Sequence, residues 1–138
     1  MRIIRYADEG GDVKSLVCRV DDSSSGRCLE ARAEIVGDDV VVAIGGGERP
    51  HVGCVVLAQP YPAKGRDTEW SASCSMLTIP PHKEEPIARG IAEKLAATLG
   101  RVTVVTAGVH EDAIDAEGIA TYLRLAEELA EKLVDALG

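Results

Sequence analysis

The stretch 40-VVVAIGGGERPHVGCVVLA-58 decides how this chain folds, because it holds two apolar runs on either side of three glycines. Residues 40–44 and 52–58 carry no charge, which is typical of buried strands in the middle of a sheet. A hairpin turn needs only two or three residues. The longer connection 45–50 also contains an arginine and a proline and leads directly to His51. It is therefore predicted to form the wall of a binding site.

Further strands are predicted on both sides of this stretch, from apolar or alternating patterns. Their boundaries are 15–20, 29–35, 72–79 and 102–106. The connection 59–70 contains two prolines and a glycine and is predicted to be an extended loop. Residues 107–114, after the last strand, are predicted to form a second loop.

Two helices are predicted from apolar residues that recur every three or four positions. The first begins at residue 84 or 85, because Pro86 is tolerated only in a first turn, and it ends before Gly100. The second follows Asp115, a suitable N-cap, and its wide apolar stripe covers the sheet or forms, in part, a dimer or partner surface. The order βββββαβα predicts an α+β fold: a mixed, mainly antiparallel sheet of about six strands with two helices packed on one face.

The composition limits the possible functions. With 138 residues, the chain is expected to form a single domain, residues 1–138. Its net charge of −8 and aromatic content of 3% argue against nucleic-acid binding, which needs a basic surface or stacking rings. No signal segment and no run of about 18 apolar residues is present, so a cytoplasmic protein without membrane attachment is expected. The four cysteines lack C-x-x-C spacing and are predicted to be reduced thiols.

The chain has three histidines, His51, His82 and His110, and the direction of the strands predicts where they lie. We assign each strand a direction along the chain, starting from residues 40–44. With these directions, all three histidine-containing connections lie at the same end of the sheet. Open sheets bind their ligands beyond the carboxyl ends of parallel strands. We therefore predict that the three imidazoles gather at one rim.

Residues near these histidines are candidates for ligand binding. Consecutive glycines permit close backbone approach to a ligand, and a neighbouring arginine suits an anion. A histidine and a lysine just before a helix lie where free N–H groups attract phosphate. The alternatives are a flexible turn, a solvated surface charge and an ordinary helix start. The candidate cofactor-binding residues are Gly45, Gly46, Gly47, Arg49, His51, His82, Lys83, Gly108 and His110.

Histidine combined with carboxylate is also a ligand set for divalent metals. With an ordinary pKa near 6.5, imidazoles are mostly neutral and able to bind metal at pH 7. The predicted metal ligands are His51, His82, His110 and Asp112, for an ion such as Mn²⁺ or Mg²⁺. The spacing is not that of an H-E-x-x-H motif, and a single loop histidine is more often structural or exposed. A site without metal is the alternative, and no catalytic residue is assigned.

Three segments carry a resemblance to a known family. They are 46-GGERPHVGCVVLA-58, 77-LTIPPHKE-84 and 104-VVTAGVH-110. In this order and spacing they resemble the small D subunit of gallate decarboxylase, in the LpdD-like prenylated-flavin chaperone family, from about residue 40 to the C-terminus. The resemblance implies a chaperone that binds prenylated FMN, or FMN, and delivers it to a UbiD-like decarboxylase or carboxylase or helps to mature it there. It implies no catalysis of the decarboxylation itself.

The implied partners are a flavin nucleotide and a UbiD-like decarboxylase subunit, and a homodimer or larger homo-oligomer is also expected. Two alternatives from other functional classes use the same residues. One is a small metal-dependent enzyme that acts through the histidine cluster. The other is a structural decarboxylase subunit whose pocket has no function of its own.

Overall fold

A computed structural model describes residues 2–65, 69–80 and 85–138 of the chain. Within these residues the strands form one sheet, in the order β1-β2-β3-β4-β7-β5-β6, accompanied by two helices. The elements in chain order are β1 (Arg2–Ala7), β2 (Val13–Asp21), β3 (Cys28–Val36), β4 (Asp39–Gly47), β5 (Cys54–Pro62), β6 (Trp70–Thr78), α1 (Glu85–Leu99), β7 (Thr103–His110) and α2 (Ala116–Leu137).

The sheet is mixed and mainly antiparallel. Strands β4 and β7 form its parallel pair, and the other neighbouring strands are antiparallel. The predicted α+β class is confirmed, although the described residues form seven strands rather than about six. The additional strand is β1, in which Ile3 and Ile4 are adjacent and therefore give no alternating pattern. Pairing with β2 along the edge of the sheet holds this segment as a strand.

The two apolar runs of the quoted stretch are not neighbours in the sheet, because β7 lies between them. Strand β7 pairs in parallel with β4, from Val40 opposite Thr103 to Gly47 opposite His110. On its other side it pairs antiparallel with β5. The connection 48–53 is therefore not a hairpin turn, and it crosses the end of β7 to reach β5.

Strands β4 and β7 are longer than the sequence predicts. All three glycines belong to β4 and pair with β7, and β7 continues as far as His110. The predicted loop 107–114 was thus wrong at its start, since residues 107–110 are strand. Hydrogen bonding between neighbouring strands fixes the backbone of these residues and outweighs the turn preference of glycine.

The predicted extended loop 59–70 is also shorter in the structure. Strand β5 continues through Pro62, and β6 begins at Trp70. The two strands pair along this whole length, so the prolines lie in a strand and not in a loop. Beyond the strand ends, the N–H of Ala63 donates to the carbonyl oxygen of Glu69 at 2.9 Å.

The helices cover one face of the sheet and leave the other face open. Alternate residues of each central strand point towards the helices and are buried, for example Val40, Val42 and Ile44 in β4. Helix α1 packs on β5, β6 and β7, and α2 packs on β2 and β3. Because each buried CH₂ contributes about 0.8 kcal/mol, this aliphatic layer is the main source of stability. The thiols of Cys18 and Cys54 are part of it.

Both helices begin at the end of the sheet where β4 and β7 finish. The Oδ1 atom of Asp115 accepts a hydrogen bond from the N–H of Gly118 at 2.8 Å, which confirms the predicted N-cap of α2. Helix α1 begins at Glu85 and ends before Gly100, whose φ of 65° lies in the left-handed region. The predicted direction of the strands is therefore correct, and we call this end of the sheet the rim.

Candidate functional site

The glycines of β4 allow other parts of the chain to approach the backbone from both sides. A Cβ atom on Gly45 would lie 2.9 Å from the Cβ of Pro50, on the open face. A Cβ atom on Gly46 would lie 2.6 Å from the Cδ2 of Leu29, on the face that the helices cover. Real Cβ atoms do not come this close to other carbon atoms, so only glycine fits at these positions without movement of the neighbours.

The connection 48–53 follows the end of β7 and hydrogen bonds to it. The N–H of Glu48 donates to the carbonyl oxygen of His110 at 2.6 Å, and the N–H of Gly53 donates to that of Ala107 at 2.9 Å. This path begins at Gly47, which has a φ of 75°. The connection is thus an irregular continuation of the sheet.

His51 lies directly over Gly108 on the open face. A Cβ atom on Gly108 would collide with the carbonyl oxygen of His51 and would lie 2.9 Å from its ring carbon Cγ. The Nδ1 atom of His51 is 2.9 Å from the carbonyl oxygen of Arg49, which accepts a hydrogen bond when that nitrogen carries the proton. The absence of a side chain at Gly108 therefore sets the position of the imidazole.

A cavity of about 400 Å³ lies on the open face beside His51. Glycine backbone forms its floor, residues 50–52 form one wall, and Arg19 and Arg32 lie on the opposite side. Small-molecule pockets usually occupy about 300–1,000 Å³, so this cavity is large enough for part or all of a cofactor. Its lining residues are Arg19, Cys28, Glu30, Arg32, Ala43, Ile44, Gly45, Gly46, Gly47, Pro50, His51, Val52 and Thr106.

At the rim, Asp112 connects His110 with Arg49. The Nε2 atom of His110 lies 2.8 Å from Oδ1 of Asp112, and Nη2 of Arg49 lies 3.3 Å from the same oxygen. The hydrogen bond from His110 and the charge of Arg49 lower the pKa of Asp112. Because an ionised carboxylate only accepts hydrogen bonds, Nε2 of His110 carries a proton in this arrangement.

A second group of polar side chains joins the loop before β3 to the start of α2. Arg27 donates to both carboxylate oxygens of Glu111, at 2.9 and 3.0 Å, and the hydroxyl of Tyr122 donates to Oε1 of Glu111 at 2.9 Å. Arg27 and Tyr122 lower the pKa of Glu111. Burial, followed by the hydrogen bond to Glu111, raises the pKa of Tyr122 to about 12. This group fixes the connection that follows His110.

The same loop is also held at Asp22. Its carboxylate accepts hydrogen bonds from Ser25 and, at 2.7 Å, from Nη2 of Arg124 on α2. These bonds lower the pKa of Asp22 to about 2. The loop that carries Arg27 is therefore attached to α2 directly at Arg124 and, through Glu111, at Tyr122.

The structure brings most of the predicted cofactor-binding residues together. Gly45, Gly46, Gly47 and His51 line the cavity. Gly108 lies beneath His51. Arg49 and His110 are at the adjoining rim, where both contact Asp112. The predicted residues His82 and Lys83 lie outside the described residues, so the gathering of all three imidazoles stays a prediction.

The structure describes only some of the predicted metal ligands. His110 and Asp112 are in contact, whereas His82 is outside the described part of the chain. Within residues 2–65, 69–80 and 85–138, no three histidine, cysteine, aspartate or glutamate side chains are grouped so that they could hold a metal ion. The described residues therefore give no support for a metal centre.

Sequence reasoning missed the two arginines of the cavity and the Arg27 group. Arg19 and Arg32 are on the open face of β2 and β3, and their cross-strand partners are Glu30 and Val17. An alternating apolar and charged pattern indicates an exposed face, but it does not show which charged residues lie near the glycines. That information depends on the register between strands.

Comparison with known proteins agrees with this architecture. A sequence model described as the prenylated flavin chaperone LpdD-like domain matches residues 23–138. The chain belongs to this family. The resemblance found in the three histidine-containing segments is thereby confirmed. The match includes β3 to α2, and so most of the strands that carry the cavity.

A solved structure has a similar fold. It is a chain from the crystal structure of a chaperone complex for yeast 20S proteasome assembly, with a TM-score of 0.58 and 17% sequence identity. The alignment covers 91% of this chain and 98% of that chain. At this identity the likeness concerns the fold alone. Comparison with curated proteins gives no significant match. Neither of the described helices is long and apolar enough to cross a membrane.

The contact between Gly108 and His51 predicts the effect of a single methyl group. We expect Gly108→Ala to lower the free energy of unfolding by about 1–3 kcal/mol, the usual cost of forcing atoms into a packed region. Gly90→Ala is the matched control, because a Cβ atom there has no neighbour within 4 Å. In the middle of α1 it should raise stability by about 0.5–1 kcal/mol. Urea denaturation measures both values, and equal effects would contradict the contact.

The pKa of Tyr122 predicts a loss of stability in alkali. Below pH 10 the phenol is protonated in both the folded and the unfolded chain. Between about pH 10, the ordinary value for tyrosine, and about pH 12, only the unfolded chain loses the proton. The free energy of unfolding therefore falls over this interval.

This loss should be absent from the Tyr122→Phe variant. We expect the difference in stability between the wild type and Tyr122→Phe to be greatest below pH 10 and to shrink towards pH 12. Denaturation at a series of pH values measures it. Tyr6→Phe, at an exposed tyrosine of β1, is the control. A constant difference for Tyr122→Phe across this range would show that the phenol does not bind its proton more tightly after folding.

Proposed function

We propose that this protein binds prenylated FMN and delivers it to a UbiD-like decarboxylase, without itself catalysing the decarboxylation. The observation that carries the proposal, in a chain of the prenylated flavin chaperone family, is the cavity of about 400 Å³ over the glycine segment of β4. The family supports a chaperone role, and the cavity supports the presence of a small-molecule site.

Small and apolar residues in the lining of the cavity suit a ring system. Ala43 adds only a methyl group on the open face, and Gly45 beside it adds no side chain and is covered by Pro50. The small side chain of Ala43 allows an aromatic ring to lie close to the strand at this position. Pro50 and Val52 supply apolar contacts at the edge. His51 contributes polar ring atoms next to this floor, where they can orient the ring by hydrogen bonding.

The charged residues of the cavity suit the phosphate of a flavin mononucleotide. Arg19 and Arg32 line it, and each contacts a carboxylate: Arg19 contacts Asp21 at 3.0 Å and Arg32 contacts Glu30 at 3.0 Å. A guanidinium group has five N–H donors, so one such contact leaves capacity for a phosphate oxygen. Arginine is well suited to this role because it can donate two parallel hydrogen bonds.

The rim offers a second group of donors. Arg49 and His110 both face Asp112, as described above. An incoming anion would compete with that carboxylate for the same donors. In this proposal the rim assists the entry and release of the phosphate, which a carrier needs more than it needs very tight binding. A divalent ion such as Mn²⁺ is not part of this arrangement.

Binding of the cofactor is the direct test. The purified chain is titrated with FMN and with prenylated FMN, and binding is followed by flavin fluorescence and by native mass spectrometry. We expect Ala43→Phe, which fills the cavity, to weaken binding of prenylated FMN by at least about tenfold, or 1.4 kcal/mol. Val41→Phe is the matched control, since it is exposed on the same face of β4 but does not line the cavity.

The two variants separate the proposal from a general effect on folding. Phenylalanine is well tolerated in strands, so both should keep the thermal stability of the wild type within a few degrees. Absence of binding by the wild type would overturn the proposal. Equal affinities of the wild type and Ala43→Phe would show that the cofactor binds elsewhere on the chain.

Delivery is tested with the partner enzyme. We expect His51→Ala and His110→Ala each to reduce activation of a UbiD-like decarboxylase in a reconstituted assay, whereas Val41→Phe should support the wild-type level. The physical reason is that both imidazoles lie at the cavity or its rim. Full activation by both histidine variants would instead favour the structural-subunit alternative. Turnover by the isolated chain that is lost in EDTA would favour the metal-dependent enzyme.

A further inference from the structure

Strand β6 is an edge strand with the composition of a central strand. It is the last strand in the sheet, and among the described residues no strand pairs with its outer edge. From Trp70 to Pro80 the sequence contains no aspartate, glutamate, lysine or arginine, although 28% of the chain is charged. The central strands β5 and β7 likewise contain none of these four residue types.

The opposite edge of the sheet is built differently. Strand β1 has six residues, carries Arg2 and Arg5, and has an irregularity in its pairing between Tyr6 and Ala7. Short length, positive charge and a bulge are the usual features that stop an edge strand from pairing with another chain. Strand β6 has nine paired residues and none of the charges. Within the described residues, the β1 edge thus has features that oppose pairing and the β6 edge has none of them.

Large apolar side chains are also concentrated at the β6 edge. Leu77 is 75% exposed, Ile79 is 47% exposed and Trp70 is 44% exposed. Met76, between them, is exposed as well. Side chains of this kind next to a row of unpaired backbone groups are characteristic of a surface that another strand covers.

We propose that β6 pairs antiparallel with β6 of a second copy of this chain across a two-fold axis. A two-fold axis at the middle residue of the strand, Cys74, would place Ser73 opposite Ser75 of the second copy. Such pairing brings residues of the same strand close together, and like charges on facing residues are destabilising. The absence of charge in β6 therefore favours self-pairing in particular. The whole chain carries a net charge of −8, so two copies repel each other where their charged surfaces meet. An uncharged strand reduces this repulsion at the contact.

This arrangement would keep the helices of both copies on one face of a continuous sheet. The cavity described above is lined mainly from β2, β3 and β4, on the half of the sheet remote from β6, and it would stay accessible. The dimer would therefore present two cofactor cavities on its open face. The proposal does not depend on the identity of the cofactor, so failure of flavin binding would leave it unchanged.

Sedimentation velocity of the full chain tests the proposal, over about a hundredfold range of concentration because dimerisation follows mass action. We expect the wild type to dimerise. The double variant Ser73→Lys/Ser75→Lys changes two exposed side chains of β6 and should weaken the dimer by at least about tenfold. Ser73→Thr/Ser75→Thr, which adds no charge, and Tyr6→Lys, which adds a charge at the opposite edge, should leave the dimer intact.

Amide hydrogen exchange provides a second measurement that does not depend on a variant. Backbone amides of residues 70–79 should exchange more slowly at high protein concentration than at low concentration, whereas those of β1 should not change. A chain that stays monomeric throughout would overturn the proposal. So would a dimer that persists in Ser73→Lys/Ser75→Lys, or protection of β6 that appears only when a different protein is added.

Discussion

The site depends on the close approach of two backbone segments at the end of β7. The connection 48–53 hydrogen bonds to the last residues of β7 and lies on Gly45 and Gly108 without any intervening side chain. A Cβ atom at Gly45 would collide with Pro50, and one at Gly108 would collide with the backbone of His51, so either would push the connection away from the sheet. The positions of Pro50 and His51 beside the cavity both result from that single constraint.

This constraint also links the fold to the proposed function. Because β7 is inserted between β4 and β5, the chain must pass over the rim at the place where α1 and α2 begin. The rim therefore collects residues from distant parts of the sequence, including Arg27, Arg49 and Glu111. Ion pairs and hydrogen bonds keep them in place. The helices supply stability on one face, and the other face carries the cavity with its small residues and two arginines.

Much of the fold follows from local patterns, as the α1 and α2 boundaries illustrate. The aspartate cap, the proline in the first turn and the glycine after the last turn act within a few residues, so the sequence predicts them well. The strand ends were predicted less well. Glycines in β4 and prolines in β5 have turn preferences, but pairing with β7 and β6 overrides them. The same holds for the site. Its glycines and histidines can be recognised from their residue types, whereas the places of Arg19 and Arg32 beside the cavity depend on the register between strands.

The sequence by itself determined the α+β class, the direction of the strands, the family and the end of the sheet where His51 and His110 lie. These properties depend on the spacing of apolar residues, on the residue types in the motifs and on the order of the elements along the chain. Only the tertiary structure decided that β7 separates the two apolar runs, that the glycines belong to a strand and not to a loop, and that β6 is the last strand of the sheet. The physical reason is that hydrogen bonding between strands joins residues far apart in the chain, and local sequence does not specify which strands become neighbours.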